Sequence, residues 1–317
     1  MDSHKQETIH QRHDTSYRFL LSSKKLFVEL LRSFVHKGWV DRIDETSVEE
    51  IPHTFVLQDF KRQEADLVYR VKINGKEVVF YLLLEMQSRV DFRMPYRLLL
   101  YQAEIWRYLL KDDLKARTNR KSFRLPPIVP IVLYNGKRRW TASRQFRKLL
   151  SNEKMFGTEL INFEYLLIDV VRYTEEELLA LSNTIGAVFL LDQTKDREQL
   201  MERVEKLMDT IKQLPEDSQQ KFLTWISNML RRQLPENEPH MQDLFHNVKG
   251  GVSEMGLEKT LNKIIRECKR EGRLEGKLEG KEEVAKRLIE MGLDVSDIAV
   301  ATGFPVDKID QLREQIR

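Results

Sequence analysis

The stretch that decides the fold is QEADLVYRVKINGKEVVFYLLLEMQS, residues 63–88. Asn74-Gly75 separates two β-rich runs, and this dipeptide is favoured in two-residue type I′ hairpin turns. The second run, VVFYLLLEM, is apolar at odd and even positions alike. Such a strand has no solvent face, which predicts a central strand covered on both sides.

The turn also fixes a register. If Ile73 pairs with Lys76, counting outward sets Asp66 opposite Leu83 and Glu64 opposite Glu85. Opposed residues share a face, and side chains alternate with period two. Glu64, Asp66, Glu85 and Gln87 are therefore expected on one face, with the α-carbons of Asp66 and Glu85 roughly 7–8 Å apart. Carboxylates brought together resist ionisation unless a cation joins them. An oxygen-only donor set favours Mg2+, with Mn2+ as the alternative. A cation of this kind acidifies a bound water and stabilises charge developing on a phosphodiester. Taken singly, each carboxylate reads as a solvated strand-end residue. Taken together, beside an apolar strand and ahead of a basic segment, they read as a metal site.

That basic segment runs from Leu114 to Asn152 and contains no Asp or Glu. Its Lys and Arg sum to +11 in a chain of net charge +3, so the remainder carries −8. A concentrated positive region suits a polyanion, above all a phosphate backbone. A solvated surface would look the same in sequence.

Working outward, apolar spacing predicts a first helix over 16–36 and a strand in IPHTFVLQDF, residues 51–60. PYRLLLYQAEIWRYLL predicts a helix opened by Pro95. PPIVPIVLYNG and FEYLLIDVV read as strands, and 175–191 as a helix. The sum is a mixed α/β sandwich over residues 1–192. Strand signals then stop. Residues 193–250 read as a helical extension ending near the linker LPENEPH, and 251–317 as a helical tail.

In the tail, REGRLEGKLEGKEE sets Gly272, Gly276 and Gly280 four residues apart. They form one helical stripe, suited either to close packing on another helix or to a solvated, salt-bridged linker. The last segment, 284–312, has the outline of a helix-turn-helix. Asp294, Asp297, Asp307 and Asp310 make it a poor phosphate binder, so it reads as an interaction unit, and a homodimer through these helices is expected.

The chain has 317 residues, 41% hydrophobic and 32% charged, and one cysteine, Cys268. That composition fits a soluble protein and excludes a disulfide framework or a cysteine-rich zinc site. The polar start MDSHKQETIHQRHD lacks a secretory pattern, and no apolar run is long enough for a bilayer. A cytoplasmic setting without membrane contact is expected.

HDTSYRFLLS at 13–22, EADLVYRV at 64–71 and YLLLEMQSRVDFRMPYRLLLY at 81–101 resemble the Rpn family of recombination-promoting nucleases and transposase-like proteins. The resemblance is strong over about the first 190 residues and loose in the tail. It implies a restriction-endonuclease-like fold of the PD-(D/E)XK superfamily and metal-dependent cleavage of DNA, in recombination, mobile-element maintenance or phage defence. By motif, Asp66 and Glu85 bind the metal and the Met86 carbonyl adds a ligand. Gln87 stands where the superfamily usually carries lysine, and an amide can orient a water or phosphate but brings no charge. Asp14 matches an early His-Asp pair, as a residue at the metal's edge or as the N-cap of the first helix. Asp169, at a strand end, is a weaker candidate, with a turn aspartate as the plainer reading.

Arg97 and Gln102 follow the metal-binding strand on the next helix. Arg97 is expected either to steady the scissile phosphate or to make an ordinary surface salt bridge. Lys137, Arg138 and Arg139 follow the strand-ending Tyr134-Asn135-Gly136 and are expected near the DNA backbone. No base-reading motif is present, so backbone contacts should dominate and sequence preference should be low. An RNA nuclease on the same fold and a catalytically silent binding or scaffold protein are the alternatives, the latter favoured by Gln87.

Overall fold

The computed structural model describes residues 16–51, 67–85, 90–112, 121–136, 138–233, 266, 270, 273 and 276–316. Its centre is the hairpin read from the sequence. β2 (Leu67–Ile73) and β3 (Lys76–Glu85) pair antiparallel, with Ile73 opposite Lys76 and Leu67 opposite Leu82. Asn74 and Gly75 both take positive φ, 51° and 73°, as the type I′ turn requires.

Three further strands complete a mixed five-stranded sheet in sequence order. β1 (Ile43–Glu50) joins β2 antiparallel, with an irregularity between Asp44 and Glu49. β4 (Ile128–Tyr134) and β5 (Leu166–Asp169) join in parallel beyond β3. β3 is thus third of five, and its apolar residues from Val79 to Leu84 are all buried.

Helices cover both faces. α1 (Lys24–Phe34) lies on one, where Phe27 stacks on Tyr69 at 4.2 Å and meets Phe80 edge-on at 5.8 Å. α2 (Met94–Asp112) lies on the other, burying Met94, Leu98, Ile105 and Leu109 in one cluster with Tyr81, Leu83, Val132 and Tyr134. The mixed α/β sandwich and the helical C-terminal region are both as expected.

Local differences have local causes. The first helix is interrupted. Residues 16–21 are helical, but the Ser22 hydroxyl donates to the Phe19 carbonyl and α1 restarts after Ser23. Serine hydroxyls compete with the helical ladder in this way. The helix expected over 175–191 is two, α3 (Glu175–Ala180) and α4 (Thr184–Asp192). A capping box of Thr174 and Glu177 opens the first. The Asn183 side chain caps the second by accepting from the Gly186 amide. β1 was not among the expected strands, and the strand expected over 51–60 lies, from residue 52 on, outside the described residues.

Beyond the sandwich come α5 (Arg197–Gln213) and α6 (Glu216–Gln233). The described residues of Met1–Gln193 and Asp209–Val252 form one compact unit, and those of Thr194–Met208 and Ser253–Arg317 a second. In the second unit, the helix over 276–290, α7 (Val295–Thr302) and α8 (Val306–Ile316) bury Ala285, Ile298, Ile309 and Leu312 together. No helix among the described residues is long and apolar enough to cross a membrane.

Candidate active site

The parallel strands β3, β4 and β5 end in one row. Glu85 pairs with Tyr134, and Tyr134 pairs with Asp169. Neighbouring strands lie about 4.8 Å apart, so the backbones of Glu85 and Asp169 are roughly 10 Å apart. Crevices at the carboxyl ends of parallel strands are where open α/β sheets bind ligands.

Of the residues singled out in the sequence, Asp14, Glu64, Asp66, Met86, Gln87 and Lys137 lie outside the described residues. Glu85 is placed through its backbone, at the last position of β3. Among the described residues no group of three or more His, Cys, Asp or Glu converges as a metal site.

Arg97 sits in the first turn of α2. It is 6% exposed, and its Nη1 donates to Asp91 Oδ2 at 3.0 Å. Burial would push the Asp91 carboxyl up. The Arg93 amide, the Arg97 guanidinium and the Arg93 side chain outweigh that and hold it below its usual range. Gln102 is buried too, and its Nε2 donates to the Leu98 carbonyl at 3.2 Å.

The turn after β4 is built from both ends. Tyr134 Oη donates to the Arg138 carbonyl at 2.8 Å. Gly136 lies against the same ring, so close that a Cβ there would fall 2.0 Å from Tyr134 Oη. Asn135 Nδ2 donates to Asp192 Oδ2, which also accepts from Tyr17 Oη at 2.8 Å. Trp140 closes the turn. Its ring meets Tyr134 edge-on at 4.8 Å, and its Nε1 donates to Tyr165 Oη at 2.9 Å. Between these anchors Arg138 and Arg139 are exposed.

Asp169 lies beneath. Its Oδ2 accepts from Arg172 Nε at 3.1 Å, while Oδ1 is buried with no hydrogen bond. Burial pushes its pKa up, and Arg172, the Trp140 amide and Arg139 offset this only in part. The nearby cations of the basic segment are neutralised in space: Arg144 meets Glu164 at 3.3 Å, and Glu153 takes Arg147 at 3.2 Å and Lys148. Arg138 forms no ion pair among the described residues.

Residues 11–222 match the family model described as "Putative transposase, YhgA-like". The chain belongs to this family. Its resemblance to the Rpn proteins is borne out by relatives of this YhgA-like chain. Recombination-promoting nuclease RpnC of Escherichia coli strain K12 is 28% identical over 269 residues, 82% of this chain and 82% of its own. Recombination-promoting nuclease RpnD of Escherichia coli O157:H7 is 23% identical over 126 residues, 40% of this chain and 46% of its own. No solved structure matches the YhgA-like chain.

Sequence reasoning missed Asp91 and Asp192. Asp91 lies within the 81–101 stretch that carries the resemblance but was not singled out there, and Asp192 stands in no motif; each matters through a partner distant in sequence or across a turn. The only forward signal was the YNG run itself, a tyrosine and glycine at a strand end.

Proposed function

We propose that this chain is a Mg2+-dependent DNA endonuclease of the PD-(D/E)XK kind, hydrolysing phosphodiester bonds with little sequence preference. The observation that carries the reading is the strand-end row of Glu85, Tyr134 and Asp169 beside the exposed Arg138 and Arg139. The relatives' name, recombination-promoting nuclease, supports it.

The donors suit the ion. Asp66, Glu85 and the Met86 carbonyl would supply oxygen alone, as Mg2+ prefers, with Mn2+ a workable substitute. When bound, the ion would act as a Lewis acid on the phosphodiester and lower the pKa of a water. The protein's own groups position. Gln87 orients the attacking water or a phosphate oxygen by hydrogen bonds and carries no charge to either. Arg138 and Arg139, with Lys137, hold the backbone phosphates. Asp14 would hold the metal's edge, with the N-cap of the first helix as its other role. The tail helices join two copies, so that two sites reach opposite strands of a duplex.

The test is incubation of the purified chain and Asp66→Ala with plasmid DNA in Mg2+, Mn2+ or EDTA. We expect nicking with either metal, none in EDTA, and loss in the variant. Cleavage of RNA with DNA left intact would reassign the substrate. Binding of DNA without cleavage in any metal would make the chain a silent nucleic-acid-binding protein, as Gln87 in the lysine position would favour.

A further inference from the structure

The turn from Tyr134 to Trp140 does more than expose two arginines. It is held at four points, two on the backbone and two through side chains, by groups that are not themselves cations. Tyr134 Oη holds the Arg138 carbonyl at 2.8 Å. Gly136 seats against the Tyr134 ring, at a spacing no side chain would allow. Asp192 holds Asn135, and Trp140 is anchored through Tyr165, whose hydroxyl donates on to the Ser143 carbonyl at 3.0 Å. Other cations of the basic segment, Arg144, Arg147 and Lys148, are engaged by Glu164 and Glu153. A turn held in place in this way carries two exposed guanidinium groups, Arg138 without an ion pair among the described residues and Arg139 beside Asp169, and so meets part of its ordering cost before a ligand arrives. Planar guanidinium groups match phosphate oxygens two at a time.

We propose that the 134–140 turn is a preorganised arch for a nucleic-acid phosphate, with Tyr134, Gly136 and Asp192 as positioning residues that hold Arg138 and Arg139 at the strand-end row. This rests on the nuclease reading for its substrate class and extends it to residues that never touch the substrate. Asp192 has a second part. By accepting from both Tyr17 and Asn135, it ties the helical turn that follows Asp14 to the end of β4. One carboxylate oxygen thus joins two segments that bear candidate site residues.

The experiment is equilibrium binding of a labelled DNA duplex to the full chain in EDTA, across a salt series. The variants are Arg138→Ala, Tyr134→Phe, the two combined, Asp192→Ala and Asp192→Asn. Arg138→Ala should lower the salt slope by about one. Tyr134→Phe keeps the ring and every cation but frees the Arg138 carbonyl, and should weaken binding about fivefold, the worth of one net hydrogen bond. The double variant should lose less than the sum of the two single losses, because part of the loss in Tyr134→Phe acts through Arg138. Asp192→Ala should weaken binding, and Asp192→Asn, whose oxygen still accepts, should recover most of it.

Tyr134→Phe binding like the parent protein would overturn the proposal. So would losses that add in the double variant, or a parent protein with no salt-dependent binding. A circular-dichroism melt of each variant separates misfolding from misplacement, with Tyr134→Phe the mildest change. DNA bound as expected but never cleaved would sink the nuclease reading and leave the arch standing.

Discussion

Arg97 and Asp91 show how a single residue's role depends on its depth. The sequence left Arg97 as a phosphate contact or an ordinary salt bridge. The structure contains an ion pair, and it is inside: the side chains of Arg97 and Asp91 are 7% and 15% exposed. Removing one partner from a buried pair leaves the other charge without compensation, which costs on the order of 3 kcal/mol. Arg97→Ala should therefore lower the melting temperature clearly, and a thermal melt would check it. A drop of a degree or less would mean that the pair contributes little. The pair also carries a pH signature. The Asp91 pKa is lowered in the folded chain, so its contribution is complete above the unfolded value near 3.8 and is lost as pH falls through the folded one. Stability should stay level on this account down to about pH 4.5 and fall below pH 4. Asp91→Asn should flatten that fall, as melts at stepped pH would show. A salt bridge was one of the two readings the sequence left open, but its partner and its depth were not legible. Periodicity gave the helix that carries Arg97 but not its burial, which depends on a carboxylate six residues earlier.

At the scale of elements, legibility follows how locally each signal is encoded. The hairpin was readable to the residue pair, because Asn74 and Gly75 determine their own backbone and the turn sets the register. Gly75→Ala places a Cβ at φ 73° and should cost about 1–2 kcal/mol, seen as a lower urea midpoint with unchanged slope. No neighbour among the described residues lies within 4 Å of that Cβ, so a larger loss would point to a strand register that the turn alone maintains. β1 was missed because IDETSVEE is charged along most of its length. Only Ile43 and Val48 of that strand are buried, as suits an edge strand that must discourage further pairing. The breaks at Ser22 and at 181–183 come from side-chain-to-backbone bonds, Ser22 on Phe19 and Asn183 on Gly186. Apolar spacing runs through such breaks without registering them. The strand-end row was half visible: Asp169 stood out as a strand-end aspartate, but its alignment with Tyr134 and Glu85 is set by parallel pairing, which no local pattern specifies.

At the scale of the whole molecule, the charge ledger and the tail bear on how the chain acts. The sequence presents eleven cations in one run, yet in space Glu153 and Glu164 answer three of them. The effective positive surface is narrower than the run and includes the turn after β4. The tail sets a different problem. Gly276 and Gly280 lie in the helix over 276–290 with nothing within 4 Å of where a Cβ would sit, and the 49%-exposed Val284 continues their stripe one turn on. Each helical glycine costs about 1 kcal/mol against alanine. Among the described residues nothing offsets that cost, whereas a second helix packed closely along the stripe would. If the proposed dimer forms there, the full chain should show a dimer's mass by light scattering, and Gly276→Leu with Gly280→Leu should give a monomer that is still folded. If the stripe is solvated, the same leucines would leave the mass unchanged and raise helix stability, since leucine is a far better helix former and meets no obstacle. The two outcomes move opposite observables, mass in one and melting temperature in the other, so one pair of samples decides whether the two-site arrangement proposed for cutting a duplex has a physical basis.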